Sequence, residues 1–171
     1  MNLIPLPAFS DNYIWLLHHE GRALVVDPGE AAPVTQWLQE NRLQLDCILV
    51  THHHGDHTGG VASLQAKWNA KVYGPALENL PFSFHRLQQG DRVTWSGIDF
   101  QTLEVPGHTA GHIAFWAHPP NKTPCFFVAI PCSLAVVADC LKERLHKCFA
   151  HWISSLSYRP ELACVVPTNT P

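Results

Sequence analysis

The sequence predicts an α+β fold in which two packed, mixed β-sheets form the core and helices lie outside them. Short apolar segments outnumber helical ones, and turn signals such as Glu20-Gly21 and Ser96-Gly97 separate several of them. Hydrophobic residues make up 46% of the 171 residues and charged residues 15%, which is typical of one globular domain. A strand-rich chain with interspersed helices buries its apolar faces most simply as sheet on sheet with a helical exterior.

The individual elements are predicted from the spacing of their apolar residues. Val34, Trp37 and Leu38 recur at helical spacing within a helix over residues 33–41, and a second helix is predicted over 61–68. The continuous apolar run 47–50 indicates a buried strand. Further strands are predicted over residues 12–17, 23–27, 71–73, 92–95, 98–104 and 113–117. Residues 133–153 also have helical spacing, so a helix there could pack on the core.

Composition and charge exclude several classes of partner. The net charge of −3 argues against a nucleic-acid backbone or an anionic membrane as partner. The first residues carry no basic segment and no long apolar run, so we expect no signal peptide, no membrane span, and a monomer in the cytoplasm. Five of the six cysteines lie at or beyond residue 125, which does not suggest a disulfide framework.

Four potential metal ligands, His52, His54, Asp56 and His57, directly follow the predicted buried strand. On an extended segment, the side chains of residues i and i+2 point the same way, so His52 and His54 can bind one ion together. Asp56 and His57 follow where the chain turns and can face a second ion. Imidazole and carboxylate are ordinary zinc ligands and also suit iron or manganese. A solvated polar loop is the alternative, but it would not be expected directly after a buried strand.

A second loop carries His108 and His112 after another predicted strand. Either histidine alone would be read as a hydrogen-bonded structural residue. Beside the first cluster, His108 is predicted as the third ligand of His52 and His54, because a Pro-Gly loop lets its side chain reach inward. His112 is predicted to orient a ligand without binding the metal itself.

Two metal ions about 3.5–4 Å apart would lower the pKa of a shared water to about 7 and stabilise a developing oxyanion. Asp56 is expected in addition to position that water as a catalytic residue. The ligand set therefore predicts hydrolysis of an ester, thioester, amide or phosphodiester, and it leaves the substrate open.

The string T-H-H-H-G-D-H at residues 51–57 resembles the T-H-x-H-x-D-H motif of the metallo-β-lactamase superfamily. Three further segments resemble its glyoxalase II (hydroxyacylglutathione hydrolase) family: P-A-F-S-D-N-Y-I-W at 7–15, V-D-P-G at 26–29 and P-G-H-T-A-G-H at 106–112. The similarity covers residues 1 to about 117, roughly two thirds of the chain, and the metallo-β-lactamase-fold part is expected over residues 1–120. A lactonase of the same superfamily is an alternative, against which the D-N-Y-I-W segment argues.

The resemblance implies an αβ/βα sandwich that binds two divalent ions, most simply zinc. It implies that His52, His54 and His108 hold the first ion and that Asp56 and His57 hold the second. It further implies hydrolysis of S-lactoylglutathione to D-lactate and glutathione, the second step of methylglyoxal detoxification, with a small glutathione thioester as partner.

Residues 121–171 depart from the family pattern. The family continues with C-G-D-T-L-F, whose Asp bridges both metals, and with H-E-Y-T, whose His completes the second site; neither string occurs here. By the same resemblance, we expect the helical C-terminal domain that helps to bind glutathione to be missing from this sequence. We therefore expect a fold that is incomplete on its C-terminal side.

A shifted reading frame accounts for this departure. In a shifted frame, each new codon consists of the last base of one residue's codon and the first two bases of the next residue's codon. The possible codons of residues 126–134 then allow the sequence L-C-G-D-T-L-F-S, and those of residues 166–171 allow A-H-E-Y-T. The hypothesis is a frameshift between about residues 120 and 126, as a mutation or a sequencing error. The alternatives are a genuine different C-terminus and an inactive, truncated remnant of the enzyme.

Overall fold

The computed structural model describes residues 2–10, 12–118 and 125–127. Ten strands and three helices lie within this described part of the chain. The strands are β1 Asn2–Ala8, β2 Asn12–His19, β3 Arg22–Val26, β4 Gln44–Leu49, β5 Lys71–Pro75, β6 His85–Leu87, β7 Arg92–Trp95, β8 Ile98–Glu104, β9 Ile113–His118 and β10 Cys125–Phe127. The helices are α1 Ala31–Glu40, α2 Gly55–Thr58 and α3 Val61–Trp68.

The first sheet is mixed and has the order β1-β2-β3-β4-β5-β6. β1, β2 and β3 pair antiparallel, whereas β3, β4, β5 and β6 pair parallel. Helix α1 lies in the crossover from β3 to β4 and α3 in that from β4 to β5, whereas residues 76–84 connect the parallel strands β5 and β6 without a helix. The carboxyl ends of the parallel strands consequently lie at one edge, where the chain leaves β4 for the histidine-rich segment.

The second sheet has the order β10-β9-β8-β7 and is antiparallel throughout its described strands. The turn between β7 and β8 is Ser96-Gly97, with φ of 48° and 76°. Positive φ at both central residues is the requirement of a two-residue type I′ hairpin, because its twist matches that of the flanking strands. The turn predicted at these two residues is therefore confirmed.

Alternate residues of β3 pack into two different hydrophobic clusters. Ala23 and Val25 belong to the cluster formed with α1 and α3, whereas Leu24 and Val26 belong to the cluster formed with the second sheet. Side chains of a strand alternate between faces, so a strand buried on both sides reads as an unbroken apolar run. The predicted sheet-on-sheet core with outer helices is confirmed over the described residues.

Most predicted elements are present, and the differences have physical reasons. β1 was not predicted because Pro5 and Pro7 lack the backbone N–H of a strand; β1 tolerates them as an edge strand. The short elements β6, β10 and α2 were also missed, since three or four residues carry no periodicity. The helix predicted over residues 133–153 lies outside the described residues.

Among the described residues, no helix is both long enough and apolar enough to cross a membrane.

Candidate metal centre

Two loops from different sheets meet at the carboxyl edge of β4. The first, residues 50–54, leads from β4 into α2, and the second, residues 105–112, joins β8 to β9. The amide of Ile113 donates to the carbonyl oxygen of Thr51 over 3.0 Å, which ties the start of β9 to the first loop. Gly107 has a φ of 152°, a conformation that favours glycine, at the Pro-Gly turn expected to aim His108 inward.

His52, His54 and His108 converge as predicted. One nitrogen from each ring lies within 4.8 Å of the other two. The Nε2 of His52 is 3.1 Å from the Nδ1 of His54. Two nitrogens bound to one tetrahedral zinc ion at about 2.0–2.1 Å are about 3.3 Å apart. The His52–His54 pair therefore has the nitrogen spacing of two ligands on one ion, and His108 brings a third imidazole within 4.8 Å of both.

The charge state of these rings favours metal binding. His52 is fully buried, and burial together with the neighbouring imidazoles, His57 foremost, lowers its pKa to about 2. Burial and the nearby His54 lower the pKa of His108 as well. A neutral imidazole keeps the lone pair that a metal needs, so the two rings are held in the ligating form at neutral pH.

Asp56 and His57 lie beside this group but not within it. The Nε2 of His57 is 3.1 Å from the Oδ2 of Asp56, and its ring centroid is 4.4 Å from that of His52. Burial acts to lower the pKa of His57, but Asp27 and Asp56 outweigh burial and raise it. In the described part of the chain, the three histidines are the only set of three ligand atoms this close together.

His112 is buried, and its ring centroid lies 4.7 Å from that of His52. Its Nε2 has no hydrogen-bond partner among the described residues. Burial is the main reason that its pKa is lowered. The position beside a ligand agrees with the orienting role expected for it, which stays a prediction.

Asp27 lies beside the candidate site and was not singled out by the sequence reasoning. It is buried at the end of β3, where its two carboxylate oxygens accept from the amide of Thr51 at 2.8 Å and from its hydroxyl at 2.7 Å. Its Oδ2 also lies 3.3 Å from the Nδ1 of His57. An acidic residue directly after an apolar strand was the available signal, because such a group must find donors if it is buried.

Glu78 was missed completely. It lies in the loop after β5, its side chain is 3% exposed, and its carboxylate contacts both histidine loops. Burial alone would raise its pKa, but hydrogen bonds from Thr109 and His53 outweigh burial and lower it. No local pattern in the sequence marks this residue, since its partners lie 25 to 33 positions away.

Comparison with known proteins agrees with this geometry. The profile of the metallo-beta-lactamase superfamily matches residues 8–120. A hydroxyacylglutathione hydrolase from Albidiferax ferrireducens is 54% identical over 127 residues, which are 74% of this chain and 50% of that protein. One from Pseudomonas fluorescens is 57% identical over 114 residues, covering 65% of this chain and 45% of that protein. The predicted resemblance is confirmed.

Among solved structures, the crystal structure of ETHE1 from Myxococcus xanthus superposes with a TM-score of 0.60 at 26% identity. The match covers 68% of this chain and 54% of that one. The chain spans about half the length of the curated relatives it matches.

Proposed function

Because the chain belongs to the metallo-beta-lactamase superfamily, we propose that its three-histidine site serves the hydrolysis of a glutathione thioester, S-lactoylglutathione, to D-lactate and glutathione. The convergence of His52, His54 and His108 from two loops is the observation that carries the proposal. The relatives named hydroxyacylglutathione hydrolase, about half identical over the matched residues, support this substrate.

We propose that His52, His54 and His108 hold one ion and that Asp56 and His57 contribute to a second. An imidazole-rich donor set favours zinc, although iron and manganese accept the same ligands. Bound divalent ions supply Lewis acidity and lower the pKa of a coordinated water to about 7. The Asp56 side chain is 57% exposed and is suited to position the attacking water, while Asp27 orients His57 through its Nδ1.

The proposal also covers the oligomeric state, the cellular compartment and the partners of the enzyme. We take it to be a monomer of the cytoplasm that acts on a small molecule, and the net charge of −3 argues against a nucleic-acid partner.

His54→Ala tests the metal assignment. In the form of the protein with the family reading frame restored, the substitution removes one of three nitrogens, so bound zinc should be lost on dialysis and thioester turnover abolished. Zinc per chain is measured by elemental analysis and turnover by the release of glutathione. His19→Ala is the matched control, because that histidine lies on β2 and contacts Glu20. Full turnover by the His54 variant would refute the assignment.

We propose further that residues 121–171 are an out-of-frame translation of the family sequence, which would remove the bridging Asp and the last His. The shifted frame that permits C-G-D-T-L-F and H-E-Y-T supports this, as does a match to the Albidiferax relative that extends over only 127 residues. With five of the family's ligands left, this chain should retain at most one ion firmly.

The frame is tested by sequencing the encoding DNA from the codon of Asn121 to beyond that of Pro171, together with the intact mass of the protein. A restored base predicts a working enzyme with two ions per chain. A reading identical to this sequence, with a matching intact mass, predicts an inactive remnant.

A further inference from the structure

We propose that Glu78 is a positioning residue that clamps the two histidine loops together, so that His108 faces His52 and His54. This inference rests on the proposed metal site and adds to it a residue that binds no metal itself.

Each carboxylate oxygen of Glu78 contacts donors of one histidine loop. Oε2 accepts from the backbone amide of His53 at 2.9 Å and also contacts the Nδ1 of the same residue. Oε1 accepts from the hydroxyl of Thr109 and from the backbone amide of Gly111 at 3.1 Å. One buried carboxylate therefore receives four donors and joins a loop of the first sheet to a loop of the second.

The contacts fall next to the proposed ligands. His53 stands between His52 and His54 in the chain, and Thr109 directly follows His108. A shift of either backbone segment would move a ligand nitrogen, because a metal accepts only a narrow range of bond lengths. Because both oxygens of Glu78 already have donors, the clamp assigns the residue to holding ligands rather than to binding the ion.

Close packing supports the same role. A Cβ atom added at Gly111 would lie 2.6 Å from the Cγ of Glu78 and 3.1 Å from the backbone carbon of Leu77. The second loop is thus seated directly on the Glu78 side chain, and only glycine fits at that point. The loop's position depends on this side chain through packing as well as through hydrogen bonds.

The test is Co²⁺ binding to the full chain, followed by the visible absorption of the bound ion, whose intensity reports coordination geometry. Glu78→Gln keeps the size of the side chain but turns an N–H group toward the donors of one loop, since all four partners donate. We expect it to weaken Co²⁺ binding about 10-fold and Glu78→Ala about 100-fold, the range for residues that orient ligands. Amide exchange at Gly111, measured without metal, should become faster in both variants.

A double-mutant cycle with His108→Ala separates the clamp from general stabilisation. If Glu78 acts through the His108 loop, Glu78→Gln should weaken Co²⁺ binding less than about 3-fold in the His108→Ala background, because coupled effects do not add. Asp46→Asn is the control, since that carboxylate also accepts from two side chains, Arg22 and Trp95, at the opposite end of β4. It should leave the Co²⁺ affinity unchanged.

Three outcomes would overturn the inference. Parent-like Co²⁺ affinity in Glu78→Gln, or an equal loss with and without His108, would overturn the clamp and leave the three-histidine site standing. A parent chain that binds no Co²⁺ would overturn the site and, with it, the clamp.

Discussion

Thr51 and Asp27 form a buried, hydrogen-bonded pair at the start of the first histidine loop. Thr51 is fully buried, and both its amide and its hydroxyl donate to the Asp27 carboxylate. The same hydroxyl lies 3.0 Å from the Nδ1 of His52 and so also helps to set the orientation of that ring. A buried carboxylate is costly unless its oxygens are satisfied, so the pair stabilises the fold while it aligns the ligand.

Thr51→Val should lower the free energy of unfolding by about 1–3 kcal/mol, because it removes the hydroxyl donor from the Oδ2 of Asp27 in a buried site and leaves only the longer contact with His57. Urea denaturation in the presence of a chelator measures the loss without a contribution from bound metal. Thr94→Val is the matched control, since Thr94 also donates to an aspartate, Asp99, but on the exposed surface. The control should change stability by less than about 0.5 kcal/mol; equal losses in the two variants would contradict the argument.

At the scale of elements, two glycines allow the helices α2 and α3 to sit against the loop that follows β3. A Cβ atom at Gly29 would lie 1.9 Å from the carbonyl oxygen of Asp56, and one at Gly60 would lie 2.5 Å from the carbonyl carbon of Glu30. The amide of Gly60 donates to the carbonyl oxygen of Pro28 over 2.9 Å. This backbone contact holds Asp56 and His57 next to the end of β3, where Asp27 lies.

Gly60→Ala should therefore push α3 and the loop apart and destabilise the protein by about 1–3 kcal/mol or more, as overpacking does. Gly55→Ala is the comparison, because nothing lies within 4 Å of its Cβ position and alanine favours the helix α2. Thermal unfolding of both variants measures the difference. A Gly60 variant as stable as the Gly55 variant would show that the close approach is relaxed at little cost.

At the scale of the whole molecule, the proposed metal ion joins the two sheets. His52 and His54 follow β4 of the first sheet, whereas His108 precedes β9 of the second. The hydrogen bonds across this junction in the described part of the chain include that from Ile113 to Thr51 and those from Thr109 and Gly111 to Glu78. An ion held by all three histidines would bind the folded chain and not the unfolded one, and so stabilise the sandwich.

Zinc at 100 times its dissociation constant should raise the free energy of unfolding by about 2.7 kcal/mol. Denaturation at a series of zinc concentrations measures this increase. At the same zinc concentration, His108→Ala should lose most of it, because the remaining two ligands lie on one loop. Stabilisation by zinc that persists unchanged in this variant would place the ion elsewhere.

Local patterns were enough to predict a large part of the site. His52 and His54 could be paired because alternate residues of an extended segment face the same way, and their rings do lie together. His108 could be added because a Pro-Gly turn follows a predicted strand. β1 could not be predicted, since the tolerance of a strand for Pro5 and Pro7 depends on its edge position, which only the strand order reveals.

From the sequence alone, the two-sheet core and the pairing of His52 with His54 could be predicted, because apolar periodicity and alternate spacing act within short segments. Which polar groups contact the two histidine loops depends on how distant segments pack. Asp27 and Glu78 reach partners 24 to 33 residues away, and Gly60 meets the backbone of a loop that precedes α1. Such contacts arise from the packing of distant segments. Glu78 therefore has no local signal in the sequence, whereas Asp27 is marked only by its place directly after an apolar strand.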